Sequence, residues 1–387
     1  MTQAARGEAP RVPVSRKRKK RRLYLIPLFL ILLLLIGGGA YLLHLLNQIP
    51  RIENESVETI DPATASIETD PAPLSTESMP EWASRYLEDE SSEASGSEAS
   101  AESSAEAGGE ETAGEGTETA SPTAPPTTAF DYGNITSIDC SSLINLMLVG
   151  QDRREGESRE RSDAMILASI NPKTGRIELL SFMRDLYVEV PGYGKTRLNH
   201  AYWYGGFPLL YQTMEKNFAI TVDGGFEVDF NGFSAIIEIL EGVDISLTKE
   251  DSQHIFGDEE HTGIQHLDGE QALEYVRYRD YGSDFMRTNR QRTMLTTVFD
   301  AVKGAGASTL LSLLEQFLPY LRTDMSNGDI LSLAAKLAPL MSSMSLSNTS
   351  VPGSGDYFAA YRDGMSVLVP NLPAIKYHLK YWYLPFN

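Results

Sequence analysis

Charged residues suited to phosphate and metal chemistry occur where three predicted strands begin or end. The apolar runs at 143–149, 164–170 and 177–183 predict strands, and carboxylates and guanidiniums border each of them. If the chain reverses between consecutive strands, these points meet at one end of a sheet, within roughly 10–15 Å of each other. The set is Asp152, Arg161, Asp163, Arg184 and Asp185.

The chemistry of this set follows from its oxygen and nitrogen atoms. Carboxylate oxygens are the ligands of hard divalent cations such as Mg²⁺, and guanidinium forks match phosphate oxygens in bidentate geometry. The sequence therefore predicts a metal-assisted anion site. At any single position, an ordinary solvated loop charge is the alternative interpretation.

The stretch GSDFMRTNRQR, at 282–292, gives an independent reason to expect this site. At about 100° per residue, Arg287 and Gln291 share a helix face with Met294 and Val298. The face that should enter the core thus begins with a guanidinium and an amide, which need polar or anionic partners. A helix start also favours anions.

The order of periodic segments predicts an α/β domain with helices on a mixed sheet. The turn signal at 171–175 makes the second and third strands an antiparallel hairpin. A further strand is predicted at 227–229, and an edge hairpin within 346–369. Helices are predicted at 207–218, 230–240, 268–276, from about 284, at 308–321 and at 326–345. Residues 251–267 are expected to be irregular.

The chain before this domain divides into three segments. Residues 1–22 contain the basic run RKRKKRR, and residues 23–46 are almost wholly apolar, long enough to cross a bilayer. The positive-inside rule then predicts a cytoplasmic N-terminus and an extracytoplasmic remainder. The glycines at 37–39 leave a cleaved signal peptide as an alternative. Residues 47–128 predict a disordered acidic linker, followed by one domain at 129–387.

Net charge argues against a nucleic-acid partner. The 387-residue chain carries −20, of which residues 1–50 contribute +8 and residues 51–128 contribute −17, which leaves −11 for the domain.

The single cysteine, Cys140, excludes an internal disulfide, and a structural role is favoured over a nucleophilic one. His254, His261 and His266 match no zinc-binding spacing, and a polar loop is favoured there.

Six motifs in order resemble the LytR–CpsA–Psr family of cell-envelope phosphotransferases. They are GQD at 150–152, RSD at 161–163, MRD at 183–185, KTRLNHAYWYGG at 195–206, LDGEQALEYVRYR at 267–279 and DFMRTNRQ at 284–291. The resemblance covers about residues 143–300. The sequence departs from the family pattern at Gln151, Ala164, Met183 and Met286, where the family usually has Ser, Thr, Pro and Gly.

The resemblance implies a three-layer α/β/α sandwich with a pocket for a polyprenyl chain. It implies an enzyme that transfers a glycopolymer, such as teichoic acid or capsule, from undecaprenyl pyrophosphate to muramic acid of peptidoglycan, with Mg²⁺ or Mn²⁺. The product would be undecaprenyl phosphate, and the setting the cell membrane of a Gram-positive-type envelope. A pyrophosphate hydrolase and a non-catalytic regulator that binds lipid or cell wall remain alternatives.

The resemblance also assigns roles to individual residues. Asp152 and Asp163 would hold the metal. Arg161, Arg184 and Arg287 would act on the phosphates during catalysis. Apart from the resemblance, the chemistry of such a transfer makes Asp185 and Asp284 candidates for a base, and orientation of an arginine is the equally open alternative for each. The remaining pyrophosphate-binding residues are Arg197, where the family usually has Lys, Arg277, Arg279, Arg290 and Gln291.

Overall fold

The computed structural model describes residues 44–52, 131–151, 161–279, 284–303 and 307–386. The chain divides into two units, residues 1–49 and 50–387, and the elements below all belong to the second unit.

A six-stranded mixed sheet forms the centre of this unit, with the strand order β10-β3-β2-β1-β6-β9. Its members are β1 (Ile144–Gln151), β2 (Ser162–Ile170), β3 (Arg176–Phe182), β6 (Gly224–Asp229), β9 (Arg322–Thr323) and β10 (Ser345–Val351). Three two-stranded ribbons complete the β structure: β4 (Tyr187–Val190) with β5 (Gly194–Arg197), β7 (Val243–Leu247) with β8 (Gly263–Leu267), and β11 (Tyr357–Arg362) with β12 (Met365–Pro370).

Eight α-helices accompany the strands in the described part of the chain. They are α1 (Leu198–Phe218), α2 (Phe230–Ile239), α3 (Lys249–Phe256), α4 (Gly269–Arg277), α5 (Asp284–Lys303), α6 (Ala307–Phe317), α7 (Asn327–Leu337) and α8 (Leu372–His378). The predicted capping box is present at the start of α4, where Asp268 and Gln271 each accept a hydrogen bond from the other's backbone N–H.

Helices cover both faces of the sheet because its strands alternate apolar side chains between the two faces. On one face, Met147, Leu167 and Leu180 pack into a core that includes much of α1. On the other face, Leu146 and Ile166 belong to a core completed by α5 and α7. The predicted α/β class with a mixed sheet is confirmed.

Strand direction brings the ends of several strands together. β1 runs antiparallel to β2 and parallel to β6, so that Gln151 pairs with both Ser162 and Asp229. β3 runs antiparallel to β2 and parallel to β10, and Phe182 pairs with Val351. The ends of β1, β3, β6 and β10 and the start of β2 therefore lie at one end of the sheet, as the predicted reversals require.

Two helices differ from the sequence prediction in their bounds, because glycine and proline act on them differently from what the sequence pattern indicates. The helix predicted at 207–218 begins at Leu198, and Gly206 interrupts it with φ 60° and ψ −153°, so that it tolerates Pro208. The helix predicted at 326–345 ends at Leu337. Pro339, which lacks an N–H, starts a 3₁₀ turn at 338–343 there.

Two further segments differ from the sequence prediction in their secondary structure or in their place in the sheet. Residues 251–267 are not irregular, because α3 and β8 occupy most of them; the capping box of Thr248 and Asp251 was the missed helix signal. The hairpin predicted within 346–369 is confirmed in part: β11 and β12 pair antiparallel, but they form a separate ribbon, and the sheet edge is the preceding strand β10.

The predicted membrane segment, 23–46, lies outside the described residues except for its last three positions, as does most of the predicted linker. Among the residues that are described, no helix has the length and apolar character to span a bilayer.

Gly225 on β6 tests the packing of α1 on the sheet. A Cβ there would lie 2.3 Å from Phe207 Cε1 and 2.6 Å from the Tyr211 hydroxyl. Gly225→Ala should therefore lower the free energy of unfolding by about 1–3 kcal/mol, measured by chemical denaturation. Gly328→Ala, on α7 with only ordinary contact to Ser326, is the matched control and should be neutral or slightly stabilising. An equal loss in both variants would contradict the packing described.

Candidate active site

The first turn of α5 points its charged side chains at the converging strand ends. Arg287 is only 3% exposed, and it donates from Nη1 to Asp163 Oδ1 at 3.2 Å and from Nη2 to the Asp163 backbone oxygen at 3.1 Å. The guanidinium on the inward face of α5 thus meets the start of β2 rather than apolar core.

Asp163 is the hub of a charged cluster. Its Oδ1 forms ion pairs with Arg184 Nη1 at 2.8 Å, Arg287 Nη1 at 3.2 Å and Arg279 Nη2 at 3.5 Å. Burial by itself would raise the pKa of Asp163, but the three guanidiniums outweigh burial and hold the pKa below its ordinary value. The carboxylate is therefore ionised at neutral pH.

Two further carboxylates extend the cluster around Arg184. Arg184 Nε lies 3.6 Å from Asp185 Oδ1 and 3.6 Å from Asp284 Oδ1. Asp284 Oδ1 is 2.7 Å from Arg287 Nη2, and Asp185 Oδ1 is 3.4 Å from Arg197 Nε. Burial raises the pKa of Asp185 despite the neighbouring Arg184. Asp185 is therefore the carboxyl group here whose affinity for a proton is increased.

Positive charge exceeds negative charge within this cluster. Four guanidiniums, those of Arg184, Arg197, Arg279 and Arg287, face three carboxylates. Arg279 has the longest of the contacts to Asp163, and its side chain is 47% exposed. Burial, and then repulsion from Arg184 and Arg287, lowers the pKa of Arg279. An anion entering the cluster would relieve that repulsion.

Oxygen atoms suited to a hard cation are also present. The three ion pairs of Asp163 all use Oδ1, and Oδ2 of Asp284 is buried without a hydrogen bond. Mg²⁺ commonly takes only one or two protein carboxylates together with substrate phosphates and water. The cluster fits such an ion, although the residues that can be described hold no group of three or more metal-ligating side chains. Asp152, the other predicted ligand, lies outside them.

An apolar cavity of about 300 Å³ opens beside Asp163. Strands β1, β2 and β6 and helices α2, α4 and α5 supply its walls. Its lining includes Leu148, Ile166, Phe226, Phe233, Ile236, Leu273, Val276, Gln291, Met294 and Val298. Helices α2 and α5 thus contribute to the lining, whereas α1 packs on the opposite face of the sheet.

The structure places three predicted phosphate ligands outside the Asp163 cluster. Arg290 donates from Nε to Asp251 Oδ1 at 2.7 Å and lies 4.5 Å from the ring of Tyr278. Arg277 pairs with Glu274 at 3.7 Å and packs over a phenyl ring. Arg161 lies over the Trp203 ring at 5.1 Å. Their contact with phosphate stays a prediction.

Sequence reasoning missed His200 as a neighbour of the charged residues. Thr196 Oγ1 lies 2.8 Å from His200 Nδ1. Burial, together with Arg161 and Arg197, lowers the pKa of His200 to about 4, so the ring is neutral at pH 7. The signal was available, since His200 stands between Arg197 and Trp203 in the quoted motif KTRLNHAYWYGG.

Cys140 is buried, and burial raises the pKa of its thiol, as befits a structural residue. The three histidines of the polar segment have separate partners. His254 contacts Glu274, His261 contacts Asp258, and His266 contacts Asp244.

The described residues thus combine a mixed sheet, an apolar cavity and an arginine–carboxylate cluster at one end of that sheet. The LytR_cpsA_psr family model matches residues 104–380. The TagU polyisoprenyl-teichoic acid–peptidoglycan teichoic acid transferase of Bacillus mycoides is 36% identical over 178 residues, 45% of this chain and 57% of that protein. The chain thus matches little more than half the length of such curated relatives.

Solved structures show the same fold. TagT bound to LI-WTA has a TM-score of 0.51 and 28% identity, covering 64% of this chain and 93% of that one. TagV of B. subtilis has a TM-score of 0.51 and 25% identity, covering 63% of this chain and 99% of that one. The chain belongs to the LytR–CpsA–Psr family.

The hub role of Asp163 predicts how stability depends on pH. Because the folded state lowers the pKa of Asp163, its stabilisation is present above the ordinary aspartate pKa and is lost as pH falls through the folded value. Asp163→Asn should therefore lower the free energy of unfolding by about 2–3 kcal/mol at pH 7, discounted for partial exposure, and the difference from the unmodified protein should narrow in acid.

Chemical denaturation at several pH values measures this difference. Asp300→Asn, at an exposed position on α5, is the control and should change stability by less than about 0.5 kcal/mol. A pH-independent loss in Asp163→Asn would contradict the electrostatic role.

Proposed function

We propose that this protein is a membrane-anchored phosphotransferase that moves a glycopolymer from undecaprenyl pyrophosphate to muramic acid of peptidoglycan. The observation that carries the proposal is the junction of the apolar cavity with the arginine cluster at Asp163. A polyprenyl pyrophosphate has the matching two-part chemistry, an apolar tail joined to a dianionic or trianionic head. The apolar segment at 23–46 is the proposed anchor.

The relatives support the same substrate class. TagU is named for transfer of teichoic acid from a polyisoprenyl carrier to peptidoglycan, and one TagT structure is titled as bound to LI-WTA. We extend this chemistry to the present chain. Teichoic acid, capsule or a similar polymer would be the transferred group.

In the proposed complex, the lipid tail and the pyrophosphate head contact different residues around α5. The tail lies along Phe233, Met294 and Val298 inside the cavity, and the pyrophosphate lies against Arg184 and Arg287. Guanidinium forks suit its non-bridging oxygens, and the apolar walls beside them lower the local dielectric and strengthen the contacts.

The proposed reaction is attack by a sugar hydroxyl on the phosphorus nearer the donor sugar. A new oxygen–phosphorus bond forms, the bond to the bridging oxygen breaks, and undecaprenyl phosphate leaves with the bridging electrons. Asp185, whose pKa burial raises, takes the hydroxyl proton. Arg184, Arg279 and Arg287 stabilise the charge that builds on the phosphate oxygens.

A divalent cation, Mg²⁺ or Mn²⁺, is proposed to join this site at Asp163, with Asp152 as the second carboxylate. It would supply further neutralisation of the pyrophosphate charge. Removal of the metal with a chelator should then lower donor affinity, and added Mg²⁺ should restore it.

Two alternatives use the same geometry. Water in place of the sugar acceptor would give a pyrophosphate hydrolase, and binding without chemistry would give a lipid-binding or wall-binding regulator. Incubation of the protein with Mg²⁺, lipid-linked polymer and peptidoglycan oligomer separates the three. Covalent polymer–peptidoglycan product supports the transferase, phosphate-terminated polymer alone indicates the hydrolase, and unchanged donor indicates a binder.

The arginines of the cluster should be essential for turnover. Arg184→Ala and Arg287→Ala should each reduce the transfer rate by about 10²–10³, because each removes charge stabilisation at the phosphates. Lys216→Ala, which removes a cation from an exposed pair with Glu189, is the control and should transfer at the normal rate. Circular dichroism checks folding. Normal turnover in both arginine variants would refute the mechanism.

The cavity should select for the length of the lipid chain. Val298→Trp places an indole in the lined space and should raise the KM for a long polyprenyl donor about tenfold or more, while a donor with a two-isoprene chain is affected little. Ala301→Trp places the same indole at an exposed position of α5 and serves as the control. Equal effects on long and short donors would show that the tail binds elsewhere.

A further inference from the structure

A group of exposed aromatic side chains lies beyond helix α8 in the second unit. Helix α8 continues into a π-helical turn at 379–383, and Tyr381 and Trp382 on that turn are 57% and 65% exposed. Among the large apolar side chains that are exposed in the described residues, these two are the only neighbours in sequence. Single exposed apolar residues are ordinary, whereas a contiguous group marks a candidate interaction surface.

The inner face of the same segment fixes these rings in place. Ile375 and Leu379 are buried in the core that includes α1. Trp382 stacks on the imidazole of His378, with ring centroids 4.5 Å apart and planes at 12°, and His378 Nδ1 lies 2.7 Å from Asp356 Oδ2. The exposed rings are therefore supported by a packed layer beneath them.

Tyr377 joins the two exposed rings into one surface. Its ring centroid lies 4.7 Å from that of Tyr381 and 5.7 Å from that of Trp382. The ammonium group of Lys380 lies 5.2 Å from the centroid of the Tyr381 ring, within cation–π distance. We call the group formed by Tyr377, Lys380, Tyr381 and Trp382 the aromatic surface.

The local charge around the aromatic surface is opposite to that of the domain. Residues 364–387 contain Lys376 and Lys380 but no Asp or Glu, whereas the whole domain carries −11. Tyr and Trp rings combined with lysines are typical of segments that lie in the headgroup region of a bilayer. There the rings bridge water and hydrocarbon, and the lysines are attracted to anionic lipids.

Chain connectivity also keeps the second unit close to a bilayer. Residues 50–52 add to the edge strand β9, where Thr323 N donates to Pro50 O at 3.3 Å and Ile52 N donates to Thr323 O at 3.0 Å. Pro50 follows the proposed anchor, 23–46, by only four positions, a span of at most about 14 Å. The acidic segment after Ile52 therefore does not lengthen the connection between anchor and domain.

A sugar polymer is another ligand that aromatic surfaces recognise, and the surroundings favour it less. Sugar hydroxyls donate hydrogen bonds, and carboxylates are the side chains that accept without competing donors. Residues 364–387 contain no carboxylate side chain, and the side chain of Asp356 is only 6% exposed and already paired with His378. Lysines without neighbouring carboxylates suit an anionic surface instead.

We propose that the aromatic surface lies in the headgroup region of an anionic phospholipid bilayer. This contact goes beyond the proposed transfer reaction and shares with it only the membrane anchor. With the anchor as the first attachment and the aromatic surface as the second, the domain keeps one orientation on the membrane that holds its lipid substrate.

Fluorescence quenching in the full chain tests this contact. The chain is reconstituted into vesicles of phosphatidylglycerol and phosphatidylcholine whose acyl chains carry bromine near the headgroup, since bromine quenches an indole only at short range. Comparison with Trp382→Phe isolates Trp382 among the three tryptophans, and Trp382 should lose most of its emission. Ile264→Trp in the Trp382→Phe background places an indole at a 77% exposed position on β8 and is the control, which should stay unquenched.

The charge contribution is measured separately on two lysines. Lys380→Gln should lower the ratio of quenched to unquenched Trp382 about fivefold in anionic vesicles, because one cation is lost at the surface. Lys216→Gln, which removes an exposed lysine from α1, should leave the ratio unchanged. Neither lysine is buried, so both variants should fold. Vesicles of phosphatidylcholine alone should quench Trp382 weakly.

No quenching of Trp382 in anionic vesicles, or equal quenching of the indole in the Ile264→Trp control, would overturn the proposal. So would a shift of Trp382 emission by a soluble N-acetylglucosamine oligomer without quenching by lipid, which would assign the aromatic surface to a glycan. None of these measurements uses turnover. Quenching without polymer transfer would leave the bilayer contact standing and refute the proposed reaction, and transfer without quenching would do the reverse.

Discussion

The arrangement of the strand ends and of helix α5 around the candidate site depends on the pairing of Asp163 with several guanidiniums. Ions removed from water carry a large desolvation cost, and loss of one partner of a buried pair costs about 3–5 kcal/mol, a large part of the total stability of a domain. Arg184 comes from the end of β3 and Arg287 from the start of α5, so both elements must be correctly placed for either charge to be tolerated. The hub therefore fixes the strand ends and the helix together.

The cluster gains its chemical character from what lies beside it. An apolar cavity adjoins Asp163, and low-dielectric walls strengthen every nearby charge interaction. The net charge of −20 for the whole chain hides this local excess of guanidiniums, because the acidic segment before the domain accounts for most of it. Local arrangement, not total charge, determines which ligand this site attracts.

Three faces of helix α5 lie in three different environments. One face carries Arg287 and Gln291 toward the cluster and the cavity, and another carries Arg292 to the end of β10. A third holds Arg290, whose pair with Asp251 ties α5 to α3. Such a division explains why arginines so close in sequence have different partners: successive helix positions rotate by about 100°.

The sequence by itself determined the strands, their reversals and the direction of Arg287, because periodicity is a local property and antiparallel connections bring strand ends together. Motif order likewise identified the family. The tertiary structure alone decided that Arg279 joins Asp163 while Arg290 pairs with Asp251, and that α1 packs away from the cavity. Those outcomes depend on contacts between residues far apart in the chain. Helix α3 is an example. Its sequence is polar and lacks a clear apolar periodicity, and the residue that pairs with its Asp251 is Arg290, 39 positions downstream.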